Sequence, residues 1–294
     1  MNVSSRVALG SLWLATVASA LDTTTVESVT GLKGSWNEAE GVFKVSQPRT
    51  GVKVNVDGAP LPPFMGLTSW AAFTPGKKVE AMVMGDLVLF QDEVNPVMSG
   101  ALSNGLSVTA LHNHFFYDEP KVYFMHIGGD GSVSNLAAGV RSCLDTVRQI
   151  RAANPVPATR FGPPILATNS ITGKSLEQIL GVKGQVNAGM FKVVIGRTAT
   201  MPCGCKVSKD MGVNTWAAFA GSDDDAVVAG DFAVLEDELQ TVLKTLRHAG
   251  VNIVAIHQHM THEQPRVLFL HYWGRGKAKD LARAVKAALE TQEK

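Results

Sequence analysis

The second half of this chain repeats the first, and that limits the fold more than any other feature. Met65-Gly66-Leu67-Thr68-Ser69-Trp70-Ala71-Ala72-Phe73 returns as Met211-Gly212-Val213-Asn214-Thr215-Trp216-Ala217-Ala218-Phe219. From Gly85-Asp86 and Gly230-Asp231 onward the offset holds at 145 (230 minus 85) through Gly131 and Gly276. That span sets Gln91-Asp92-Glu93-Val94 against Glu236-Asp237-Glu238-Leu239, and upstream Gly41–Val45 faces Gly189–Val193. Self-similarity over such a period means two copies of one folding unit. A length of 294 residues allows two such units, each able to bury a core. The stretch from Arg151 to Gly173, rich in Pro, Ala, Thr and Asn, reads as the linker. The expected modules are residues 21–163 and 164–294, with the boundary near Pro164.

Residues 1–20 stand outside the repeat. Arg6 precedes an almost wholly apolar run, Val7 to Val17, which ends in Ala18-Ser19-Ala20. That is the pattern of a signal peptide, too short to span a bilayer, with the mature chain starting near Leu21. The expectation is a secreted protein, extracellular or periplasmic, with no membrane span. Without Arg6 there are 26 basic residues (27 minus 1) against 26 acidic ones, a balance that argues against nucleic acid as a partner. In an oxidising compartment, Cys143, Cys203 and Cys205 are expected to give one bridge and one free thiol.

Each copy is expected to be α+β, a mostly antiparallel sheet with helices packed on it. The pattern predicts a short helix at Val26–Val29 (Leu176–Ile179), then extended segments at Phe43–Val45 (Phe191–Ile195), Trp70–Phe73 and Ala81–Phe90. Asp92 and Asp237 stand where a helix N-cap belongs, and Gly105 where the helix should stop. A strand over Leu106–His114, a six-residue turn and a strand over Lys121–Ile127 follow. The second copy repeats them from Gly250 to Tyr272 and closes on a helix at Ala278–Leu289.

Seven of the eight histidines fall in these matching hairpins: His112, His114 and His126, then His257, His259, His262 and His271. Two residues apart on a strand means one face, so His112 pairs with His114 and His257 with His259. A neighbouring strand in suitable register brings His126, or His271, to the same face. The turn adds acids, Asp118 and Glu119 in one copy and Glu263 in the other, as oxygen ligands or a base. Only the Asp118 and Glu263 position keeps a carboxylate in both copies; Tyr117 stands opposite His262. For a lone His-x-His, packing in a core would be the plainer reading. A triplet kept twice at identical spacing favours a divalent transition metal, zinc first, with manganese, iron, nickel or copper as alternatives. The acids at Asp92, Glu93, Asp237 and Glu238 are explained by helix capping, Trp70 and Trp216 by the core, and Gly85-Asp86 with Gly230-Asp231 by turns or bulges.

The Met-Gly-x-x-x-Trp-Ala-Ala-Phe run, the Gly-Asp before Asp92-Glu93-Val94-Asn95-Pro96-Val97, and Ala110-Leu111-His112-Asn113-His114 with Glu119-Pro120 and Phe124-Met125-His126 resemble the LppY/LpqO family of duplicated secreted proteins and lipoproteins of unknown function. The resemblance implies no activity. This chain departs from it in lacking an anchor cysteine after the signal segment and in reading His257-Gln258-His259 in the second copy. His112-x-His114 with Glu119 is also similar to the start of a cupin metal motif, but here the third histidine comes from the adjoining strand. Three readings follow. The first is a secreted metal-binding protein with a site in each module. The second is a metal-dependent hydrolase acting on a cell-wall or extracellular substrate, with Asp118 or Glu263 as base. The third is a carbohydrate- or protein-binding module without metal. No Gly-rich phosphate loop, G-x-S-x-G or H-E-x-x-H points to a substrate or a catalytic residue.

Overall fold

Alternating burial along Thr68–Pro75 and Asn214–Gly221, with Ser69, Ala71 and Phe73 inward in one and Thr215, Ala217 and Phe219 in the other, makes each a strand with one face packed. The structure is a computed structural model that describes residues 21–164 and 168–292, so the expected signal segment lies outside the described residues. The first copy contributes β1 (Gly34–Asn37), β2 (Val42–Pro48), β3 (Thr68–Pro75), β4 (Ala81–Phe90), β5 (Ser107–His112) and β6 (Val122–Gly131). Its helices are α1 (Thr23–Thr30), α2 (Gln91–Ser103) and α3 (Val133–Ala153). The second contributes β7 (Gln185–Asn187), β8 (Met190–Gly196), β9 (Asn214–Gly221), β10 (Ala226–Leu235), β11 (Asn252–His257) and β12 (Val267–Gly276), with α4 (Gly173–Leu180), α5 (Leu239–His248) and α6 (Ala278–Glu290).

These twelve strands form one antiparallel sheet in the order β1-β2-β3-β4-β6-β5-β11-β12-β10-β9-β8-β7, and shorter strands pair outside it. The order is a palindrome. The two copies meet through equivalent strands, β5 and β11, and the pair at the centre is Leu111 against Ile256, residues that occupy the same position in each copy. A pseudo-twofold axis therefore passes between them. The expected α+β architecture of two like modules is what is found, but the core is not divided between them. Helix-side residues of both copies, among them Val97, Leu111 and Val140 with Leu243, Ile256 and Val285, belong to one cluster. The opposite face carries a small apolar cluster in each copy, around Val88, Phe90 and Phe124 and around Ala233, Val267 and Phe269.

Amides seal the junction. β5 is irregular between Val108 and Ala110, and β11 between Ile253 and Ala255. Asn95 of α2 reaches across the axis, accepting from the Ile253 N–H at 2.7 Å and donating to its carbonyl at 3.1 Å. Gln240 of α5 does the same to Val108, at 2.9 Å for both bonds. Each side chain thus replaces ladder bonds that the bulge removes.

Several local expectations need correction. β4 runs on to Phe90, so α2 begins at Gln91 and Asp92 lies inside its first turn rather than capping it. Glu93 takes the Phe90 N–H at 2.9 Å and, in the second copy, Glu238 takes the Leu235 N–H at 2.8 Å. Both carboxylates are buried and each binds an arginine, Arg49 or Arg197. Asp237 stays exposed. The strand expected to run to His114 ends at His112, as its counterpart does at His257. The expected disulfide is not formed: Cys143 is buried in α3, Cys203 and Cys205 are exposed, and all three are free thiols.

Candidate metal centre

Strand parity decides which side chains share a face. In β4, Val83, Leu87 and Leu89 point to the helices, which sends Asp86 to the other face with Val88 and Phe90. Asp86 lies directly opposite His126 on β6, and His126 lies opposite Ala110 on β5, one diagonal step from His112. The second copy repeats this with Asp231, His271, Ala255 and His257. The two histidine clusters therefore lie on the sheet face away from the helices, one on each side of the pseudo-axis.

The second cluster converges. Asp231, His257 and His259 each offer one ligand atom, and these atoms all lie within 4.8 Å of one another. His259 Nε2 is 3.1 Å from His257 Nε2 and 3.4 Å from Asp231 Oδ2. A tetrahedral zinc with bonds of about 2.0–2.1 Å holds its ligand atoms about 3.4 Å apart, so these separations suit one ion. Outer contacts orient the rings. His259 Nδ1 donates to the Gly212 carbonyl at 3.1 Å, which leaves its Nε2 unprotonated and facing His257 Nε2, and His271 Nδ1 donates to the Gly230 carbonyl at 3.3 Å. Asp231 is buried, and its Oδ1 has no hydrogen-bond partner, with His271 Nδ1 3.9 Å away. His257 Nδ1 is likewise buried without a partner. Burial pushes the His257 imidazole below its ordinary value, Asp231 opposes that shift, and His271 and His259 add to it. A ring kept neutral has a lone pair ready for a cation.

The first cluster has the same members in a different pose. His112 and His114 stack with centroids 5.1 Å apart and planes 12° from parallel, and His126 lies 5.2 Å from His112. Asp86 Oδ1 is buried without a partner, as its counterpart is. Burial, reinforced by His112 and opposed by Asp86, lowers the pKa of His114. An aromatic floor is common to both: His114 stacks on Phe124 at 3.3 Å and His259 on Phe269 at 3.5 Å. Among the described residues, convergence of three ligand atoms is found only at Asp231, His257 and His259.

The acids expected from the turn are committed elsewhere. Asp118 is buried, accepting from Val122 N–H at 2.7 Å and Lys121 Nζ at 2.9 Å. Glu263 is buried and accepts from Val267 N–H at 3.0 Å. Glu119 is exposed on a short strand opposite Asn55, and His262 is exposed with φ of 68°. The carboxylate beside the histidines comes instead from Asp86 and Asp231, which the sequence pattern assigns to turns or bulges. Their neighbours explain the preserved Gly-Asp pair. A Cβ on Gly230 would stand 2.1 Å from Tyr272 Cζ and 2.4 Å from the Trp216 carbonyl; one on Gly85 would stand 2.7 Å from the Trp70 carbonyl. Glycine permits the close packing, and the next residue carries the charge.

No curated protein matches the chain in sequence. Two solved structures align with it at 12% identity. One is the trimeric bacterial microcompartment shell protein PduB, over 88% of this chain and 89% of that one, with a TM-score of 0.22. The other is the double ringed trimeric shell protein MSM0271 from the RMM microcompartment, over 83% and 95%, with a TM-score of 0.18. Likenesses this low bear on neither fold nor function. The family model matches twice, over residues 24–146 and 174–291, the two copies of the repeat, and the chain thus belongs to the family described as Domain of Unknown Function (DUF1259).

Proposed function

We propose that this is a secreted metal-binding protein that holds a divalent transition ion, zinc first, at Asp231, His257 and His259. The observation that carries the proposal is the convergence of two imidazole nitrogens and a carboxylate oxygen at separations suited to one tetrahedral ion. The partnerless Asp231 Oδ1 and its counterpart on Asp86 support it, because a buried carboxylate oxygen without a donor is costly unless a cation faces it. Asp86, His112, His114 and His126 form the corresponding site in the first copy once the stacked rings rotate. Within the family, the motif runs quoted above support a place with LppY/LpqO. The apolar run before Leu21 supports export, and no helix among the described residues is long and apolar enough to cross a membrane.

Three protein ligands leave a fourth position open, which a hydrolase would need. That reading has lost its expected base, since Asp118 and Glu263 are held by backbone amides. The test is chelation followed by reloading with zinc or cobalt. Stoichiometric uptake, with the strong visible bands of four-coordinate cobalt, is expected, and His257→Ala with Asp231→Asn should abolish it at the second site. Absence of stoichiometric uptake, or uptake unchanged in those variants, sinks the proposal and leaves a metal-free binding module as the reading.

A further inference from the structure

The copies differ at the C-terminal end of their last helices. α6 stops at Glu290, which aligns with Asp145, whereas α3 continues to Ala153. In the second copy Gln292 folds back, its amide donating to the Ala233 carbonyl at 2.8 Å and to Glu238 at 2.9 Å. In the first copy the aligned residue is Val147, and the extended helix, the segment after β2 and the sheet line a half-open cavity of about 470 Å³. That volume lies within the range of small-molecule sites, about 300–1,000 Å³. Leu87 and Leu89 of β4 and Leu144 and Val147 of α3 give it apolar walls.

Its charge is one-sided. Arg49, Arg148 and Arg151 line it and no carboxylate does. The acids that hold these arginines lie behind them: Glu93 for Arg49, Asp92 and Glu93 for Arg151, and Asp145 for the half-exposed Arg148. Arg151 Nη1 is buried without an acceptor, and Nε, although 2.9 Å from Glu93 Oε1, makes no aligned hydrogen bond. Apolar walls bordered by guanidinium groups and by no carboxylate call for a ligand with an apolar body and an anionic head. We propose that this cavity binds a medium-chain amphiphilic carboxylate, its tail between Leu87, Leu144 and Val147 and its head against Arg148 and Arg151. In the second copy the aligned position carries Gln292, whose amide is committed to Ala233 and Glu238.

Decanoate titrated into the full chain by calorimetry is the test, with decanol as the neutral control. Decanoate should bind with one molecule per chain, and decanol should bind roughly 10- to 100-fold more weakly, the weight of a charge-assisted hydrogen bond. Val147→Phe should block binding by filling the chamber. Arg148→Met, which touches only an exposed ion pair, should weaken it while leaving the fold intact by circular dichroism. Equal affinity for decanol, full binding in Val147→Phe, or no binding to the folded wild-type chain with only a trapped water on Arg151 would overturn the assignment. None of these residues belongs to the histidine clusters, so cobalt uptake measured on the same samples reports separately on the metal reading.

Discussion

Gly230 and Gly85 are the residues on which the candidate metal centre is most sharply poised, although neither bears a functional group. Gly230→Ala would drive a methyl into the Tyr272 ring and the Trp216 carbonyl, at 2.1 and 2.4 Å. The expected loss is about 1–3 kcal/mol in chemical denaturation, accompanied by weaker metal uptake as Asp231 shifts. Gly85→Ala meets its nearest atom, the Trp70 carbonyl, at 2.7 Å, and should cost less. Equal effects in the two variants would contradict this geometry. The histidines were legible in the sequence because period-two spacing and repetition both point at them. Asp86 and Asp231 were not, because a Gly-Asp step reads as a turn until the pairing of β4 with β6 is known, and sequence order does not reveal it. The preserved Gly-Asp in both copies was the available signal.

At the level of elements, helix starts show how one layout tolerates opposite electrostatics. Burial alone would raise the Glu238 carboxyl, but Arg197, the Leu235 N–H and Gln292 together hold it below its ordinary value. Burial wins at Glu93 and pushes that carboxyl up despite Arg49, the Phe90 N–H and Arg151. The signs follow from linkage: a lowered carboxyl adds stability above its unfolded pKa and loses it as pH falls through the folded value, and a raised one does the reverse. Thermal melts from neutral to acid pH should thus show a falling limb below the ordinary glutamate range that is flattened in Glu238→Gln. An unchanged acid limb in that variant would show that Glu238 does not supply it. Strand and helix positions were largely readable from periodicity, as Ala81–Phe90 and Ala278–Glu290 illustrate. The short fall at His112 was not, because alternation continues into a loop that simply leaves the ladder.

For the whole molecule, the decisive contact is the one between copies. Asn95→Leu or Gln240→Leu leaves a backbone N–H and C=O without partners at the facing bulge, and each should cost about 1–3 kcal/mol. The double variant should lose close to the sum if the two amides act independently. Because one apolar cluster spans both copies, urea unfolding should be a single transition with coincident fluorescence and circular dichroism curves. Two resolved steps would mean that the copies fold apart. The duplication, and with it two like units, could be read from sequence, but their union could not, since it depends on which strands end at an open edge. In the assembled sheet the outermost strands, β1 and β7, are only four and three residues long and offer little to a further partner.

The junction at Leu111 and Ile256 has one more consequence, for how the two copies stay together. Two separate copies would meet only as fast and as often as their concentration allows. Joined in one chain by the segment between α3 and α4, they face each other at an effective concentration on the order of millimolar. Both histidine clusters flank that junction, so their spacing is set within the molecule and persists on dilution, where a dimer of single modules would come apart and lose it.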